Sequence, residues 1–160
     1  MKLGLAIEEL HRSEDHLGKV LLAVSDRHQA DHEVFHVARD VAAWSLRHVT
    51  ELARIGRDFG LDLDPEPDGE PGLLERLQQA TSDLLGRRPE PGLLLLADLR
   101  HVHREAAGVS LDWELLAQAA QGARKRDLFD LARRCHPDTL RQMRWANAKL
   151  KESATQALVS

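Results

Sequence analysis

Apolar residues recur along the chain in alternating steps of three and four, the spacing that lines one face of an α-helix. Leu3, Ile7, Leu10, Glu14, Leu17, Leu21, Val24 and His28 form the first seam, which predicts a helix over roughly residues 2 to 28 with two polar positions inside its apolar stripe. Ser25-Asp26 and Asp31 supply turn and N-cap chemistry. A second seam of Val34, Val37/Ala38, Val41, Ser45, His48, Leu52, Ile55 and Phe59 predicts a helix over roughly 31 to 59, with Gly60 as its stop. Residues 61–72 are rich in Pro, Gly and acids and read as a loop. A short amphipathic helix is expected at roughly 73 to 85, followed by a break around Gly86 to Gly92.

Leu95, Leu99, Val102, Ala106, Val109, Trp113 and Leu116 carry a third long helix, expected from near Leu93 to Gly122, with Gly108 and Ser110 as places where it would kink. The last seam, Leu128, Ala132, Cys135, Thr139, Met143, Ala146 and Leu150, covers roughly 124 to 156. Pro137 is expected to bend or divide that helix, because it removes one i to i−4 hydrogen bond. A helix of 28 residues is about 42 Å long, so all four would match in length and align side by side. The fold class read from the pattern is therefore all-α, a four-helix bundle forming one domain over residues 1–160. Its two tight turns flank one long crossover, which carries the short extra helix.

Composition narrows the partners. The net charge of −4 gives no field to attract nucleic acid, and an aromatic share of 4% with no Tyr leaves few platforms for stacked bases. The longest apolar run, Leu93 to Ala97, is too short to span a membrane, and Glu8 and Glu9 follow the N-terminus too closely for a signal peptide. A cytoplasmic protein is expected. The single Cys rules out an internal disulfide and a multi-thiolate zinc site.

The stretch LFDLARRCHPDTLRQMRWANAKLKESATQAL, Leu128 to Leu158, together with the one long crossover, resembles the ferritin-like superfamily, in a bacterial branch with a degenerate di-iron motif. Members with a working centre place a Glu on each of two helices and a Glu-x-x-His on each of the other two, all facing inward. Through this resemblance Glu14 stands for the first-helix carboxylate, His48 for the second-helix histidine, Glu105 for the third-helix carboxylate and His136 for the last histidine. Ser45 occupies the position three before His48, and Arg133 the position three before His136, so both motif glutamates are missing. Two carboxylates against four charges on two ferrous ions, with an arginine beside them, argue against a complete centre. The expected cofactor is none, or a single transition-metal ion (iron or zinc) held by Glu14, His48, Glu105 and His136.

Other groupings have plainer readings. His28, His32 and His36 recur every four residues, a spacing that suits a metal ion as well as a solvated bundle end. Glu33-x-x-His36 and Asp98-x-x-His101 repeat the Glu-x-x-His spacing beside the seams. His101 and Glu105 read as an i,i+4 surface pair. Asp64 to Glu75 has the outline of a calcium loop, stiffened by Pro65, Pro67 and Pro71. The basic residues between Arg124 and Lys151 are interrupted by acids and read as a solvated face. Cys135 reads as a small core residue. A buried Glu14–His48 pair without metal would itself tie the first two helices together. These features favour a non-catalytic binding or interaction module over an enzyme, with a homodimer through an exposed apolar stripe as the partner form. The alternative is a metal-binding bundle with redox or storage chemistry.

Overall fold

The computed structural model describes residues 2–68 and 90–160, so the expected helix at 73–85 and the second half of the calcium-like loop lie outside the described residues. Four long helices follow the seams: α1 (Leu3–Arg27), α2 (His32–Gly56), α3 (Pro91–Gly122) and α4 (Arg126–Val159). Asp31 caps α2 as its chemistry predicts, its Oδ1 accepting from the Val34 N–H at 3.1 Å. The far end of α2 tightens into one 3₁₀ turn, Arg57–Phe59, rather than continuing as α-helix. Gly60 then takes φ 76° and the Leu61 N–H returns to the Gly56 carbonyl at 3.0 Å, a glycine-terminated end.

The second half differs from expectation in where α3 begins and in the continuity of α4. Helix α3 begins at Pro91, two residues earlier than its apolar run, because proline's fixed φ and missing N–H suit the first helical position. It also runs unbroken through Gly108 and Ser110, whose hydroxyl bonds His136 on α4. Helix α4 is not divided at Pro137 and continues to Val159. Helix α3 ends at Gly122 as expected, and the turn to α4 places its left-handed residue at Arg124 (φ 57°).

Side-chain pairs fix the helix directions. Arg27 meets Asp98 and Glu14 meets Trp113, so α1 and α3 are antiparallel. Glu33 meets Lys149, Ser45 meets Gln142 and Glu51 meets Arg134, so α2 and α4 are antiparallel as well. Consequently α2 and α3 run the same way, and the connection between them must return along the whole bundle. Its first part does so over the α1–α2 groove. His11 Nε2 and Lys19 Nζ donate to the carbonyls of Asp64 (2.7 Å) and Pro67 (3.1 Å), while Thr50 donates to that of Pro65 (2.9 Å). Glu90 and Pro91 then line the same cleft as His28 and Asp31, at the α1–α2 turn.

The core between the helices is built by Ile7, Leu10, Leu17, Leu21, Leu52, Leu99, Leu116, Leu128 and Leu131, closed by the fully buried Trp113. Each such side chain contributes about 1.5–3 kcal/mol on removal from water. On α4 the buried stripe passes through Gln142 and Lys149 and not through Met143 and Leu150, which pack at its margin. Among the described residues no helix is long and apolar enough to cross a membrane.

Candidate functional site

Halfway along the bundle the apolar seams of α1 and α2 are interrupted at the same height. Glu14 and His48 are both buried there, with side-chain exposures of 0% and 1%. His48 Nδ1 donates to Glu14 Oε1 at 2.8 Å, and the Trp113 indole N–H donates to the same oxygen at 2.7 Å. The other ring nitrogen, Nε2, donates to Asp138 Oδ2 of α4 at 3.1 Å. Asp138 also receives Arg47 (3.2 Å) and Arg141 (2.8 Å) from the surface. One network thus joins all four helices.

A carboxylate only accepts, so a histidine bonded to a carboxylate at each nitrogen carries both protons. Burial opposes this charge, but the Cys135 sulfur and the Glu14 carboxylate beside the ring more than offset it, and the His48 pKa is raised from 6.5 to about 10. The Trp113 ring stands edge-on to the imidazolium, with centroids 5.8 Å apart. Below this layer Gln142 Nε2 donates to Ser45 Oγ and to the Val41 carbonyl, both at 2.8 Å. Glu14 Oε2, Thr139 Oγ1 and Gln142 Oε1 are buried without a hydrogen-bond partner among the described residues.

The four residues expected as ligands are not gathered in one place. Glu14 and His48 are in contact, but both nitrogens of His48 are spent on carboxylates. His136 Nε2 bonds Ser110 at 2.8 Å and lies 3.9 Å from Glu114. Glu105 faces His16 of α1 and His101 of its own helix. Among the described residues, the cluster able to present three ligand atoms to one ion is His16, His101 and Glu105, each half-buried.

Neighbouring histidines have structural partners. His28 bonds Asp98 at 2.7 Å, and Arg27 grips the same carboxylate with two bonds of 2.9 and 2.7 Å. Burial works against ionisation of Asp98, but its hydrogen bonds from His28 and Arg27 hold its carboxyl below the usual value. His28 is thereby separated in role from the exposed His32 and His36, whose rings sit 6.3 Å apart. Glu33, the acid of the first three-spaced pair, is bonded to Lys149 at 2.8 Å.

Sequence reasoning missed Asp138, Cys135 as a neighbour of His48, and His16. Asp138 precedes the seam residue Thr139, so its orientation toward His48 depends on the rotation of α4. His16 precedes the seam residue Leu17, and its meeting with Glu105 depends on the relative height of α1 and α3. The chain matches no family model, no curated protein and no solved structure.

Proposed function

We propose that this chain is a ferritin-like four-helix bundle whose interior holds a charged hydrogen-bond network in place of a metal centre, and that it acts as a non-catalytic binding or interaction module in the cytoplasm. The observation that carries the reading is the double commitment of His48, whose ring donates to Glu14 on one side and Asp138 on the other. A ligating imidazole needs a free lone pair. The residues present do not fit a di-iron centre: Glu14 and Asp138 are both engaged by His48, while Ser45 and Arg133 stand where two further carboxylates belong. The up-down-down-up course of the helices, with its full-length return between α2 and α3, supports the ferritin-like assignment.

The interior is equally unsuited to proton transfer or nucleophilic attack. An imidazolium with its pKa near 10 does not act as a base at neutral pH, and Cys135 beside it is buried. Outside, Leu111 and Leu115 lie one turn apart on α3, each at least 60% exposed, and supply an apolar contact for a second copy or another protein. The test is anaerobic addition of ferrous iron to tag-free protein, with metal counted on wild type and Glu14→Gln. We expect no iron that depends on Glu14. Two irons per wild-type chain, lost in the variant, would overturn the reading. A metal-binding role in the alternative sense is favoured by one observation, the His16–His101–Glu105 cluster.

A further inference from the structure

The outer side of the α1–α3 groove carries a grouping that the interior network does not use. His101 and Glu105 are one turn apart on α3, and His16 reaches them from α1. His16 Nε2 lies 3.7 Å from one Glu105 oxygen and His101 Nδ1 lies 3.9 Å from the other. These separations exceed hydrogen-bond length, so the three groups converge without satisfying one another. His101 Nε2 is also buried with no hydrogen-bond partner among the described residues. Three ligand atoms within 4.8 Å of one another lie within about 2.8 Å of a common centre, against about 2.0–2.2 Å for nitrogen and oxygen ligands of zinc. Closing that gap takes side-chain movements of about 0.7 Å, which half-exposed residues make without disturbing the core.

We infer that His16, His101 and Glu105 form a mononuclear site for a divalent first-row transition metal, in the groove between α1 and α3 and separate from the Glu14–His48 network. Two imidazoles and one carboxylate on one side of an ion leave its remaining positions to water or a small ligand. The two half-exposed histidines and the carboxylate also leave a net positive site once a divalent ion is bound, suited to an anionic exogenous ligand.

Cobalt(II) titration of tag-free protein tests this, with the d–d absorption bands as the readout and calorimetry for stoichiometry. Wild type is expected to bind one Co(II) per chain, and His16→Ala, His101→Ala and Glu105→Gln to weaken binding at least tenfold while retaining the helical circular dichroism of wild type. Glu14→Gln is expected to bind as wild type does. Absence of saturable one-per-chain binding, or binding that survives His101→Ala, would overturn the site. If binding instead disappeared in Glu14→Gln and survived His101→Ala, the ion would be interior and the metal-free reading of the core would fall as well. Loss confined to the three groove variants leaves that reading standing.

Discussion

The interior network makes stability depend on pH through one buried histidine. His48 titrates near 6.5 in an unfolded chain and near 10 when folded. The folded state therefore holds this proton more tightly. The stabilisation is complete below pH 6.5 and declines as pH rises toward 10, by about 1.4 kcal/mol per pH unit in between. Between pH 7 and pH 9 the loss is about 2 to 3 kcal/mol, a large fraction of the roughly 5–15 kcal/mol that holds a domain folded. The groups facing the ring are Glu14 from α1, Trp113 from α3, and Cys135 and Asp138 from α4. Urea unfolding at a series of pH values reads the effect directly, with the midpoint expected to fall by about 1 M over this range. His48→Gln provides the reference, because subtracting its curve removes whatever other groups titrate. Parallel curves for wild type and His48→Gln from pH 7 to 9 would refute the argument that the imidazolium is what the carboxylates hold.

Three further outcomes follow from the fold. Gly108 sits exposed in mid-helix with nothing within 4 Å of an added Cβ, so Gly108→Ala should raise stability by about 1 kcal/mol, seen as a higher melting temperature. Arg124 holds a left-handed backbone at φ 57°, and Arg124→Gly should relieve about 1 kcal/mol of strain in the same assay. Asp98→Ala would leave Arg27 and His28 facing each other without their shared carboxylate. Its expected cost is about 3–5 kcal/mol in denaturant unfolding, the penalty for an uncompensated buried charge.

The helices and their caps were legible because each rests on local chemistry: apolar spacing, Asp31 ahead of α2, Gly60 after it. The Glu14–His48 contact was legible for the same reason, since both interrupt a seam at matching heights on helices joined by a tight turn. Positions that depend on helix rotation were not. A seam counted in steps of three and four drifts slowly around a helix of 3.6 residues per turn. Over α4 the buried stripe had moved to Gln142 and Lys149, which have polar partners in Ser45, Val41 and Glu33. Asp98 shares the three-residue spacing with His101 but is buried against Arg27 and His28 of α1, a contact no local spacing shows. His16 and Glu105 illustrate the same limit: nothing local sets the height of α1 against α3. Pro137 removes one hydrogen bond without dividing α4, because the helix is packed on both sides of it.

The antiparallel course of neighbouring helices divides the molecule into two hairpins, α1–α2 and α3–α4, each closed by its own short turn. Besides the shared apolar core, directional bonds join one hairpin to the other at several heights: Arg27 to Asp98, Trp113 to Glu14, Gln142 to Ser45, and Lys149 to Glu33. Hydrophobic contact alone would let the two halves meet in several ways, but these pairs are all made at once in one alignment only. The halves therefore carry complementary addresses. Two fragments separated between Asp68 and Glu90 would have the information to find each other and reassemble, which makes this bundle a natural substrate for fragment complementation.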